Sequence, residues 1–374
     1  MVGLLVAVAA AIRRKNMQYW LASYMLPAEP APPPDMSRQR HVFIAVCDHW
    51  EPGNDGAADD VAMAKVERWA STYPKLYGEF RDSDGRPPQH TFFYPEEQYR
   101  PEHIDRVGEL CRAGFGEVEV HLHHDKDTAA GFEEKLTRFR DILFHRHGLL
   151  RRDPRTGQVT YGFIHGNWAL CNSHPDGVDC GVDQELDILR RTGCYSDFTM
   201  PSAPDPTQTR IINSIYYARD IAGRRKSHDV GTRARVNQSA VADHLLMIQG
   251  PLVLDWQQRR MGVLPRIENG DIIAGRPMSV TRLQRCLSAN VGVQGQPNWT
   301  FVKLHTHGCR DGNIDAWLGS EMLQFHRDLR VLCNEDPMLR IHYVTAWEMA
   351  QLVHQAEAGA SVPSIATPSR VAVG

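Results

Sequence analysis

Short apolar segments rich in β-branched residues alternate with helical segments along most of this 374-residue chain. The strand candidates cover residues 41–47, 90–94, 117–122, 160–165, 195–199, 300–305 and 341–344. The helix candidates cover residues 61–77, 101–113, 132–149, 182–191, 317–332 and 346–356. Such repeated units predict parallel strands joined by right-handed crossovers. We therefore expect an α/β fold, a distorted barrel of about seven or eight β/α units, with an open doubly wound sheet as the alternative.

The composition divides the chain into one large domain and two flanking segments. Residues 1–40 combine an apolar run, a basic cluster and a Pro-rich stretch, and predict an N-terminal helix with a linker. Residues 41–358 carry the alternating units and form the predicted barrel domain. Within them, residues 201–276 are rich in turns and are interpreted as an irregular insertion. Residues 359–374 are small and polar and predict a disordered tail.

Charge, cysteine content and the N-terminal sequence limit the possible partners and compartment. A formal net charge of −3 gives no basic field, so nucleic acid is not an expected partner. The N-terminal apolar run is shorter than a membrane span, which leaves only a weak peripheral membrane contact open. Eight cysteines without a C-x-x-C pair favour free thiols and a cytoplasmic location, with envelope association as the alternative. Nothing in the sequence indicates an oligomeric state.

Histidine is the unusual component of this sequence, and several histidines stand where predicted strands end. The chain has 18 histidines, and the ends of four predicted strands carry chemically active side chains. These residues are Asp48, His49, His121, His123, His124, His165, His305 and His307. The carboxyl ends of parallel strands share one rim, where the active sites of β/α barrels lie. We therefore predict a shared metal or acid–base site at this rim.

A mixed histidine and carboxylate set predicts the type of metal. Such ligands suit Zn²⁺ best, and Mn²⁺, Co²⁺ or Fe²⁺ as alternatives. The sequence offers no set of cysteine ligands, which argues against a structural zinc site. An ion with an open position would lower the pKa of bound water toward ~7 and polarise a carbonyl group.

Two stretches, HVFIAVCDHWEP and HTFFYPEEQYRPEHIDRVGELCRAGFGEVEVHLHHD, resemble the polysaccharide deacetylases of the NodB-homology type. The resemblance implies a distorted β/α barrel and a metal-dependent carbohydrate esterase. It places Asp48 as the general base and His49 at the position of the metal-binding acid. It makes His121 the first histidine ligand and puts Asp125 where the family has a second histidine. Leu304-His305 matches the late motif, so His305 would be the general acid.

The match leaves alternatives open. Asp48 can instead be a metal ligand together with His121 and His123, because residues i and i+2 share one face of a strand. His307 can replace His305 as the acid. The Arg-Pro motif that the family carries after the fourth strand is absent here, which indicates a divergent branch.

Five further residues are candidates for substrate binding. His165, Asn167 and Trp168 suit a sugar subsite, and a turn with a packed tryptophan is the alternative. Arg266 and Glu268 would support catalysis, and an ordinary surface ion pair is the alternative.

Three functions are consistent with these residues. The first is a metal-dependent hydrolase that removes an acetyl group from a sugar of a surface polysaccharide or exopolysaccharide. The second is a glycosidase, for which Asp48 with Glu51 or Glu268 would supply the two carboxylates. The third is an inactive carbohydrate-binding relic of such an enzyme.

Overall fold

A large, mostly parallel β-sheet forms the centre of the protein. The computed structural model describes residues 9–238, 240–260 and 264–365. The strands are β1 (Arg40–His49), β2 (His90–Pro95), β3 (Gly116–Leu122), β4 (Arg151–Arg152), β5 (Val159–His165), β6 (Cys194–Asp197), β7 (Ile215–Ala218), β8 (Thr232–Arg233), β9 (Leu245–Ile248), β10 (Val253–Arg260), β11 (Leu264–Glu268), β12 (Asp271–Ile272), β13 (Trp299–Thr306) and β14 (Leu339–Tyr343). Their order is β12-β13-β1-β2-β3-β5-β6-β9-β7-β8, with β14 beside β1 and β4 beside β5. β10 and β11 form a separate antiparallel pair.

Most of the described α-helices lie between successive strands, while the first precedes β1 and the last follows β14. They are α1 (Leu21–Met25), α2 (Asp59–Tyr77), α3 (Pro101–Leu110), α4 (Ala129–Asp141), α5 (Glu185–Arg191), α6 (Val280–Ser288), α7 (Asn313–Trp317), α8 (Ser320–Glu335) and α9 (Ala346–Glu357). Thr345 begins α9 with a capping box, because its side chain and that of Glu348 bond to each other's backbone N–H. The helix predicted at residues 317–332 corresponds to α8, and Trp317 is the last residue of α7.

The predicted α/β alternation is confirmed. Each predicted strand overlaps a strand of the sheet. The run β13-β1-β2-β3-β5-β6-β9 is parallel throughout. In the described residues, no ladder joins β9 to β13, so hydrogen-bonded strands do not close a ring. Lys303 lies at this gap, and its Nζ donates to the carbonyl oxygens of Phe198 at 2.6 Å and Met200 at 2.9 Å.

Residues 201–276, which are interpreted from the sequence as an irregular insertion, supply several short strands. This segment contains β7 to β12, and β9 pairs in parallel with β6 through Asp197 and Met247. Its strands contribute to the sheet and to the buried core. Most of them are only two to five residues long, which is too short for a clear sequence period.

Side chains of β1 alternate between two cores, and this alternation positions the site. Phe43, Ala45 and Cys47 join an inner cluster that includes Met349 of α9. Val42, Ile44 and Val46 pack on the other face, against the helices. Because side chains of a strand alternate with a period of two, His49 continues the inner face and Asp48 the outer face.

Both flanking segments contact the domain where they are described. Trp20 is fully buried against Leu252 and Leu254, which ties the N-terminal segment to the β10–β11 pair. At the other end, Ser364 donates its N–H to the side chain of Gln355, so residues 359–365 pack on α9. The rest of the predicted tail, and part of the predicted N-terminal helix, lie outside the described residues. Among the described helices, none is long and apolar enough to cross a membrane.

Candidate active site

Three imidazoles converge on the inner face, where β1, β3 and β13 end. The ring centroid of His49 lies 4.7 Å from that of His121 and 4.6 Å from that of His307. The first two side chains are buried and form the floor of the site, while His307 is partly exposed. The structure therefore brings together three of the histidines that the sequence placed at strand ends.

Glu51 joins this cluster and completes a set of donor atoms. Its Oε1 is 3.2 Å from Nε2 of His121. The potential ligand atoms of His49, Glu51 and His121 all lie within 4.8 Å of one another. His121 Nδ1 is 2.9 Å from the Ile164 carbonyl oxygen, so it donates its proton there and the ring is held with Nε2 directed into the site. Nδ1 of His49 is buried and has no hydrogen-bond partner among the described residues. These residues fit a divalent ion.

Burial sets the protonation of the cluster. It lowers the pKa of His49 well below its usual value and that of His307 to about 4. Burial alone would raise the pKa of Glu51, but the hydrogen bond and charge of His121 outweigh it and lower that pKa to about 2. Near neutral pH His49 and His307 are therefore neutral imidazoles, and Glu51 is a carboxylate. This is the protonation state in which these groups bind a metal ion.

His123 and Glu97 form a proton-carrying pair at the mouth of the site. Nδ1 of His123 is 2.5 Å from Oε1 of Glu97, and its Nε2 is 3.6 Å from Oε1 of Glu51. The backbone of Gly166 lies against this imidazole, and a Cβ there would overlap the ring. Burial would lower the pKa of His123, but the hydrogen bond and charge of Glu97 raise it above the usual value. The pair can hold a proton at the solvent-exposed side of the cluster.

Trp168 forms one wall of the same site. Its ring centroid is 5.9 Å from those of His49 and His307. The backbone of Trp168 has a φ of 56°, a left-handed conformation that bulky residues rarely adopt. Strain of this kind often marks a functional position.

Asp48 lies on the opposite face of the sheet from the cluster. Its Oδ2 is 2.8 Å from Nε2 of the buried His90, and its Oδ1 accepts a hydrogen bond from the Gly308 N–H at 2.7 Å. A Cβ at Gly308 would overlap this carboxylate. Asp48 is thus held by a structural network, and its position fits neither the predicted base nor the alternative ligand.

Two other predicted residues, His305 and Asp125, are not among the potential metal ligands of this cluster in the described residues. His305 is on the inner face of β13, two residues before His307, and its buried Nδ1 has no hydrogen-bond partner in the described parts of the chain. Asp125 has a largely exposed side chain whose Oδ1 accepts the N–H of Asp179 at 2.7 Å. This carboxylate faces a loop, so Asp125 does not replace the family's second histidine.

His165 and Asn167 belong to a different cluster. His165 is completely buried, and its ring centroid is 4.7 Å from that of His124. The Asn167 side-chain amide donates to the carbonyl oxygen of His124 at 3.4 Å. A buried imidazole does not line an open sugar subsite, so Trp168 alone of these three predicted residues faces the candidate site.

Arg266 and Glu268 lie on β11. The buried Glu268 carboxylate binds Arg282 at 2.7 Å and Arg276 at 2.9 Å. These two arginines occupy both carboxylate oxygens, which makes Glu268 part of a structural network. The register of the β10–β11 pair places Arg266 opposite Asp255.

The sequence pattern indicates Glu51 only as a glycosidase carboxylate and does not single out Glu97. Glu51 stands two residues after His49, so a strict alternation continued past the strand would have placed both on the inner face. Glu97 follows β2, another strand that ends at the same rim. Both residues therefore follow the carboxyl end of a parallel strand, the same position that identified the histidines.

No family model matches the chain, and no curated protein is significantly similar to it. Among solved structures, that of an α-mannosidase from Enterococcus faecalis V583 is similar over 85% of this chain, with a TM-score of 0.37 and 10% sequence identity. The match covers 29% of the mannosidase chain. A similarity at this level assigns neither a fold nor a function.

Proposed function

We propose that this protein is a metal-dependent hydrolase that acts on carbohydrate. The observation that carries the proposal is the convergence of His49, Glu51 and His121 on one buried point. Three protein ligands of this type suit Zn²⁺, with Mn²⁺, Co²⁺ or Fe²⁺ as alternatives, and leave a position open for a substrate. When bound, the ion would polarise the carbonyl group of an ester or amide.

The surrounding side chains supply the remaining tasks of a hydrolase. His307 is close to His49 and neutral, so it can accept a proton from the attacking water. His123 is oriented by Glu97 and can donate a proton to the leaving group. Trp168 offers an aromatic face beside these groups, which suits an apolar face of a sugar ring.

We propose deacetylation of a sugar as the reaction, in agreement with the sequence resemblance. The glycosidase hypothesis required Asp48 with Glu51 or Glu268, yet Asp48 faces the outer core and Glu268 is bound by two arginines. Glu51 and Glu97 flank the same imidazole, and the pKa of each is lowered by a histidine although burial opposes the shift. A glycosidase acid needs a raised pKa, so this pair suits the alternative less well.

Removal of the metal tests the proposal. Chelated protein should release no acetate from acetylated oligosaccharides, and addition of Zn²⁺ should restore release. Acetate is measured with a coupled enzymatic assay, while aryl glycosides in parallel report glycosidase activity. Acetate release that does not change after chelation, or cleavage of the glycosides alone, would overturn the proposal. Metal and sugar binding without any turnover would support the relic instead.

Replacing Trp168 with alanine should weaken substrate binding more than it slows the reaction. Loss of the aromatic wall is expected to raise KM by roughly tenfold, which corresponds to ~1.4 kcal/mol, with kcat nearly unchanged. The matched control is Trp256→Ala, since Trp256 is exposed on β10, outside the cluster. A larger loss in kcat than in affinity would show that Trp168 acts on the reacting groups.

A further inference from the structure

Four potential ligands that the proposed function does not use meet at a second point. They are His124 after β3, His165 at the end of β5, Cys180 in the following loop and Glu185 at the start of α5. All four are buried, and their potential ligand atoms lie within 4.8 Å of one another. We propose that they form a second metal site, which binds Zn²⁺ or a similar divalent ion and holds the loop after β5 in place.

Unpartnered polar atoms point into this cluster. Oε1 of Glu185 is 3.0 Å from Nε2 of His124 and 3.7 Å from Nε2 of His165. These three atoms are buried, and none has hydrogen-bond geometry to any partner within the described residues. Buried polar atoms are normally satisfied, and an ion or water accounts for many of the exceptions. A cation between the two imidazoles and the carboxylate would satisfy all three.

The thiol and the carboxylate are arranged to supply negative charge. Sγ of Cys180 lies 3.3 Å from Oε2 of Glu185 and 3.4 Å from the N–H of Val182. The N–H of Cys171 fixes Oε2 of Glu185 at 2.5 Å, which leaves Oε1 for the ion. Metal binding would expel the proton of Cys180, and the thiolate with the carboxylate would balance a divalent charge. Two imidazoles, one thiolate and one carboxylate complete a tetrahedral set, as in closed structural zinc sites.

Contacts with neighbouring residues indicate how much each of the four ligands would contribute to metal affinity. Nδ1 of His124 is 3.4 Å from Oδ2 of Asp127, a carboxylate that can orient the ring toward the ion. The N–H of Asn167 lies 3.2 Å from Nδ1 of His165, whereas ligation through Nε2 requires a proton on Nδ1. This contact must open when the ion binds. We therefore expect His165 to contribute least to the affinity and Cys180 or Glu185 to contribute most.

The ion would fix a loop that matters for the candidate active site. Residues 166–184 lie between His165 and Glu185 and carry Trp168, the wall of the first cluster. The two sites are built from adjacent residues, since His123 faces the first cluster and His124 the second. Four protein ligands would fill the coordination sphere of the second site. The proposal of this site does not depend on catalysis at the first site.

The X-ray absorption spectrum of the zinc-loaded protein tests this site, because a sulfur ligand belongs to the second set and not to the first. We expect a sulfur scatterer at about 2.3 Å from zinc and about two ions per chain. The variant His121→Ala should keep the sulfur signal and about one ion. The variant Cys180→Ser should lose the signal and bind this ion on the order of 100-fold more weakly. Cys286→Ala, at a buried cysteine of α6, is the matched control and should keep the signal.

Two results would overturn the second site. One is a metal-loaded wild-type protein whose spectrum shows only nitrogen and oxygen ligands. The other is a sulfur signal that survives in Cys180→Ser. If that variant does not fold, the absorption spectrum of Co²⁺-loaded wild-type protein is the deciding test. A thiolate ligand gives a charge-transfer band, and this band must also be present in Co²⁺-loaded His121→Ala. Failure of the hydrolase proposal would leave these signals unchanged.

Discussion

Replacement of His121 by alanine is expected to abolish hydrolysis. His121 is the central member of the cluster, because its Nε2 faces Glu51 at 3.2 Å and its ring adjoins His49. Without it, only two of the three proposed ligands remain, and the ion would be lost from the first site. We expect kcat/KM to fall by on the order of 10³-fold or more, about 4 kcal/mol of transition-state stabilisation.

The matched control is His145→Ala, since His145 is an exposed histidine outside the cluster. It should keep full activity and full metal content. Acetate release and the metal content of each purified variant are measured on the same samples. A His121→Ala protein that retains its metal at this site and more than about a tenth of its activity would contradict the assigned role.

Replacement of Asp48 by alanine is expected to destabilise the fold strongly and to leave the chemistry intact. The Asp48 carboxylate is completely buried between His90 and the N–H of Gly308. Removing one partner of a buried pair leaves the other without compensation. We expect the free energy of unfolding to fall by ~3–5 kcal/mol, measured by urea denaturation of chelated protein so that metal binding does not contribute.

Two comparisons distinguish this structural role from the role of base implied by the resemblance. Asp48→Asn keeps one oxygen for the Gly308 N–H, so it should be less destabilised than Asp48→Ala. At a temperature where both variants are folded, kcat should stay within a few-fold of wild type. A variant that unfolds like wild type but has lost its activity would place Asp48 in the reaction.

The sequence predicted the alternation of strands and helices well and the direction of side chains at the strand ends less well. Strand ends identified His49, His121, His123 and His307, because parallel strands bring their carboxyl ends to one edge. The alternation of side chains along β1 predicts that Asp48 and His49 lie on opposite faces of the sheet. The family resemblance instead implied that both residues belong to the site, and the position of Asp48 does not fit this implication. The same alternation would have linked His49 with Glu51.

Other parts of the structure depend on contacts that no local pattern contains. Cys180 and Glu185 meet His124 and His165 only after a loop folds back on the sheet. The absence of a C-x-x-C pair argues against a zinc site built from neighbouring cysteines. It does not bear on a site that takes a single cysteine from one loop. Likewise, β9 joins β6 through a single residue pair, Asp197 with Met247. A strand of four residues is too short for its sequence to indicate this pairing.

Anomalous diffraction from crystals of the zinc-loaded protein tests the central claim most directly. The account predicts an anomalous peak on the inner face of the sheet, about 2.0–2.1 Å from a ring nitrogen of His49 and from Nε2 of His121, and in contact with Glu51. The peak should disappear in crystals of His121→Ala. Zinc-loaded crystals without a peak among these three residues would contradict the account.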